Sequence, residues 1–84
     1  MKASMGPEAA VYMQMTHDEA LVLFDWVQRH EDTGSLDQIV ADPAELAVFW
    51  SVSCALERLL VEPFRTDYAD VLEAARARLR PLAE

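Results

Sequence analysis

The stretch from Asp42 to Pro63, DPAELAVFWSVSCALERLLVEP, decides the reading of this chain. It opens with Asp42 at a cap position, Pro43 in the first turn, where a missing N–H costs nothing, and Glu45 at the third helical position. It closes before Pro63, which biases Glu62 away from helical backbone. A helix over 43–61 puts Leu46, Phe49, Trp50, Ser53, Leu56 and Leu60 on one stripe and Val48, Val52, Ala55 and Leu59 on a second. Nearly the whole circumference is then apolar. A helix of that kind belongs between its neighbours or across a subunit interface, so this one is expected at the centre.

Working outward, Thr16 and Glu19 have capping-box spacing and start a helix over 17–31. Its inward stripe is Ala20, Leu23, Phe24 and Val27, while Val22 and Trp26 form a second apolar edge that another helix or a partner must cover. Thr33, Gly34 and Ser35 end it, with Gly34 suited to a left-handed cap. Ser35 and Gln38 repeat the cap spacing, and one short helical turn is expected near 36–40. A third helix over 67–80 presents Tyr68, Val71, Leu72, Ala75 and Leu79 on one face, carries Arg76, Arg78 and Arg80 where its dipole favours cations, and is closed by Pro81. The expected fold is all-α, a three-helix bundle forming one domain over 15–84. Residues 1–14 show no helical period and are expected to form a flexible N-terminal leader. A hint of alternation at Val11, Met13 and Met15 leaves open a short strand pairing across a dimer.

With 84 residues and 52% apolar content the chain is one folded domain, and so high an apolar fraction in so short a chain favours a dimer or a bound partner. Seven basic residues against fifteen acidic ones give a net charge of -8, which opposes contact with phosphate backbones and anionic lipid. No direct nucleic-acid binding and no membrane association are expected. The single cysteine, Cys54, excludes an intrachain disulfide and is read as a small buried thiol in a cytoplasmic protein.

The reactive residue types do not converge. His17 and His30 flank opposite ends of the first helix, about 20 Å apart at the helical rise, and Cys54 is mid-helix, so no catalytic residues are assigned and no enzyme is expected. The acids Glu31, Asp32, Asp37, Asp42 and Glu45 miss the spacing of a calcium loop, and one cysteine with two separated histidines cannot close a zinc site. No metal and no cofactor are expected. The partner-binding candidates are Trp26, with Val22, on the outer edge of the first helix, and the nearby acids Glu31, Asp32 and Asp37, a hot spot with a charged rim.

From Thr16 to Leu79 the motifs T-x-x-E-A-L-V-L-F-D-W, D-P-A-E, L-E-R-L-L-V-E-P-F and D-Y-A-D-V-L-E-A-A-R resemble a group of small uncharacterised helical bacterial proteins. The resemblance implies a short cytoplasmic helical domain and carries no activity. The expected function is that of a non-catalytic acidic interaction protein, an immunity protein, antitoxin or inhibitor that covers a basic surface of a protein partner. The alternative is a structural homodimer or a subunit of a larger assembly.

Overall fold

A computed structural model describes residues 1–83. Strands β1 (Lys2–Met5) and β2 (Val11–Gln14) are followed by α1 (His17–Thr33), the short α2 (Leu36–Ile39), α3 (Pro43–Leu59), a single 3₁₀ turn over Glu62–Phe64, and α4 (Tyr68–Ala83). The three long helices stand within three residues of their expected bounds, with a short helical turn between the first two. The all-α expectation is corrected by the hairpin of β1 and β2.

The caps explain the helix starts. Thr16 Oγ1 accepts from Glu19 N and the Glu19 carboxylate accepts from Thr16 N, a complete capping box. At α3 the Asp42 carboxylate accepts from Ala44 N, whereas Glu45 reaches one residue further back, to Ala41 N. Ser35 makes no cap, because its hydroxyl is taken by His30 and Thr33. Gly34 ends α1 at φ 75, a left-handed position that any side chain would strain. Pro81 does not close the last helix, which runs on to Ala83. A proline this near the C-terminus removes only one of the last hydrogen bonds, so the final turn persists.

The core lies on one face of α1. Leu21 and Val27 are fully buried there, with Phe24 and Ala20 beside them, and Leu56 and Leu60 from the α3 end and Leu72 and Ala75 from α4 close over that face. Leu36 plugs the open end beneath α2. The hub is therefore α1, which packs on α2, α3 and α4, and not α3 as its all-apolar pattern implied. Helix α3 crosses α1: Phe49 meets Trp26, Ser53 meets Gln28, Glu57 lies by Asp32, and Leu56, Leu59 and Leu60 line a groove with His17 and Ala20. It buries only Ser53 and Leu56 within its own span and leaves Val48, Trp50 and Leu59 exposed. Cys54, expected inside, is also on this outer side.

Residues 1–14, expected as a leader, pair antiparallel with Lys2 opposite Gln14, Ala3 opposite Met13, Ser4 opposite Tyr12 and Met5 opposite Val11. The turn is held by Gly6 N donating to Ala10 O at 2.6 Å. Gly6 is needed for space: a Cβ there would lie 2.0 Å from the Tyr12 ring, which packs across it.

Substitution of Leu21 by Ala is expected to cost about 2–5 kcal/mol in urea unfolding, whereas Val48→Ala on the outer side of α3 shifts stability by less than about 0.5 kcal/mol. Equal costs at the two positions would contradict the assignment of α1 as hub.

Candidate interaction site

The cations of the chain are mostly committed to its own acids. Arg76 Nη2 and Arg29 Nε donate to Asp25 Oδ2 at 2.8 and 2.9 Å, and the Tyr68 hydroxyl reaches Asp25 Oδ1 at 3.4 Å. Arg78 grips Asp18 through two bonds of 2.6 and 2.8 Å, Arg80 bonds Glu73, and Arg65 forms a bidentate pair with Asp67. The Asp18 and Asp25 pairs fasten α4 along α1. They also set local acidities: the Arg78 hydrogen bonds hold Asp18 below the usual carboxylate range, and burial followed by the Asp25 carboxylate pushes the Tyr68 phenol up to about 12.

The remaining charge is segregated. Between His30 and Glu57 the chain holds Glu31, Asp32, Asp37, Asp42, Glu45 and Glu57 and no lysine or arginine, so six of the eight net negative charges fall in that segment. None of these six forms an ion pair among the described residues. Asp42 and Glu45 open α3 a few residues after α1 finishes and α2 sits, so these acids gather by the C-terminal end of α1, away from the hairpin that precedes its N-terminus, while Glu57 lies further along α3 beside Asp32.

Glu31 differs from its neighbours. It sits on the core-facing side of α1, half-buried, and its Oε1 is sealed from solvent with no hydrogen-bond partner among the described residues. Desolvation first, and then the carboxylates of Asp32 and Glu57, push its acidity above the ordinary glutamate range. Asp32 and Asp37 are exposed, the first at the end of α1 and the second on α2.

Trp26 and Val22 come together. With Glu19, Leu23, Leu79 and Leu82 they line an open, largely apolar groove of about 430 Å³ between α1 and α4. Both are half-buried. The Trp26 ring is held by His30, at a centroid distance of 4.2 Å, and by Phe49 at 5.9 Å, while His30 Nδ1 bonds Ser35 Oγ at 2.6 Å. Thus the five partner-binding candidates separate into an apolar pair in a groove, two exposed acids, and one acid turned inward. Glu31 in particular does not present both oxygens to a partner. Its spacing of four residues from Val27 already put it on the inner face, a signal that charge alone obscured. Missed altogether were Asp42, Glu45 and Glu57 as members of the same charge field, because caps had accounted for the first two.

Among the described residues no group of three or more His, Cys, Asp or Glu side chains is disposed to hold a metal ion, and no helix is long and apolar enough to cross a membrane. Searches of family models, curated proteins and solved structures find no match to this chain.

The folded chain binds the Glu31 proton more tightly than the unfolded chain does, so the ionised carboxylate weakens the fold above its folded pKa, and this penalty fades as pH falls through that value. Glu31→Gln removes the charge while keeping the shape, and is therefore expected to stabilise the protein at neutral pH and to lose that advantage on acidification. Thermal unfolding of both proteins from neutral to acidic pH checks this; an unchanged or lower midpoint for the variant at neutral pH contradicts it.

Proposed function

We propose that this protein is a non-catalytic interaction protein that covers a basic surface of a protein partner, in the manner of an immunity protein, antitoxin or inhibitor. The observation that carries the reading is the segregation of charge: six carboxylates and no lysine or arginine between His30 and Glu57, with the arginines at 29, 65, 76, 78 and 80 already spent on internal ion pairs. An unneutralised field of one sign accelerates encounter with an oppositely charged surface and rejects like-charged ones, including nucleic acid. Asp32 and Asp37, exposed at the end of α1 and on α2, are taken as the acids that would meet the partner first.

Short-range affinity is assigned to the Trp26 groove. A ring already fixed by His30 and Phe49 loses little conformational freedom on binding, and a largely apolar groove edged by Glu19 has the composition of a recognition surface with a polar rim. Charge then governs the association rate, and Trp26 governs how long the complex lasts.

The test compares wild type with the double variant Asp32→Asn, Asp37→Asn and with Trp26→Ala in pull-downs from the source lysate at about 0.05 and 0.5 M salt, with the captured protein then used for rate measurements. The expected result is a basic protein retained at low salt, a slowed association for the double variant, and a faster dissociation for Trp26→Ala. Capture that is indifferent to salt and to both variants, or capture of an acidic protein, contradicts the reading.

A further inference from the structure

The alternation of the hairpin sorts its residues onto two faces. Ala3, Met5, Val11 and Met13 share one, because Ala3 pairs with Met13 and Met5 with Val11, and Lys2, Ser4, Tyr12 and Gln14 share the other. The first face is wholly apolar, yet Met5, Val11 and Met13 are 68%, 65% and 57% exposed. An antiparallel sheet with one apolar face normally packs that face against something, and two strands alone are marginal in water. None of the described residues covers it.

The surface continues onto the helices. Met13 lines a groove of about 440 Å³ with Met15, Ala20, Leu56, Leu59 and Leu60, and Leu59 is 76% exposed. The apolar hairpin face and the C-terminal end of α3 thus form one patch.

The whole molecule has the same deficit. Its accessible surface is 6220 Å², against about 5,000 Å² for a compact chain of this mass, and its radius of gyration is 14.2 Å, against about 12 Å. The excess, about 1,200 Å² over the whole molecule, is large enough for an interface of standard size, roughly 800 Å² per partner, to offset most of it.

We infer that this patch, the hairpin face of Ala3, Met5, Val11 and Met13 with Leu59 beside it, is the interface of a homodimer in which two copies meet about a twofold axis, hairpin face to hairpin face. Charge selects a second copy at this end. Residues 1–16 contain one lysine and one glutamate, Arg58 near the end of α3 has no ion-pair partner among the described residues, and Glu62 is paired with His17 at 2.5 Å. Two chains of charge -8 repel least when these ends meet and their acidic ends point apart. The patch is also apolar rather than charged, so the same surface on two copies can meet about a twofold axis without like-charge repulsion within it. The acidic end and the Trp26 groove remain free, so the inference stands independently of the proposed basic partner.

Light scattering over about 10 to 200 µM tests it, with far-UV circular dichroism confirming helix in every variant. Wild type is expected at twice 9.5 kDa at low and high salt, Val11→Asp and Met5→Asp at 9.5 kDa, and Val48→Asp, on the other exposed side of α3, still dimeric. A second measurement on the unaltered sequence uses mixed isotope labelling: intermolecular NOEs are expected among the methyl groups of Met5, Val11 and Met13. A wild-type monomer throughout the range, a dimer that survives both hairpin substitutions or is broken by Val48→Asp instead, or a dimer without those NOEs overturns the inference.

Discussion

Burial of Leu21, Phe24 and Val27 on a single face of α1 is the contact from which the rest of the structure follows. Helix α3 lends Leu56 and Leu60 to it, α4 lends Leu72 and Ala75, and α2 caps it with Leu36. Outside that face each element is largely unburied. A core of nine buried apolar residues among those described leaves much of an apolar-rich chain at the surface, a shortage that small domains often meet by associating. The exposed hairpin face, the outer side of α3 and the groove at Trp26 are consequences of one limited core.

Electrostatics adds direction to this arrangement. The ion pairs of Asp18 and Asp25 with Arg78 and Arg76 use the basic residues of α4 to hold it along α1. What is left uncompensated is the acidic end, and what is left nearly neutral is the hairpin end. The molecule is thus uneven in charge: carboxylates without ion-pair partners among the described residues gather on 31–57, while 1–16 carries one lysine and one glutamate. Glu31 is the local cost of this layout, a carboxylate on the inner face of α1 with one oxygen unsatisfied and two further carboxylates nearby.

The sequence made the helices legible because their caps are strong and local. Thr16 with Glu19, Gly34, and Asp42 with Pro43 each mark a boundary that the structure keeps within two residues. It did not reveal which helix is central. Apolar periodicity reports how much of a helix can be buried, not what is available to bury it, so α3 looked central and lies outside. Cys54 moved to the surface for the same reason. The hairpin was hidden because β1, KASM, has little strand character of its own and is ordered by pairing with β2 and by the Tyr12 ring over Gly6. Of the candidate site, Trp26 and Val22 were readable as a second apolar edge. The acidic end was only partly readable, since the approach of Glu57 to Asp32 depends on how α3 crosses α1.

The central claim is that the chain exposes more apolar surface than its own core can enclose and completes itself by association. Its most direct test is the urea midpoint of unfolding measured as a function of protein concentration. The account predicts a midpoint that rises steadily from about 1 to 100 µM, as mass action requires when association stabilises the folded state. A midpoint that stays fixed across that range would show that the single chain is self-sufficient and would contradict it.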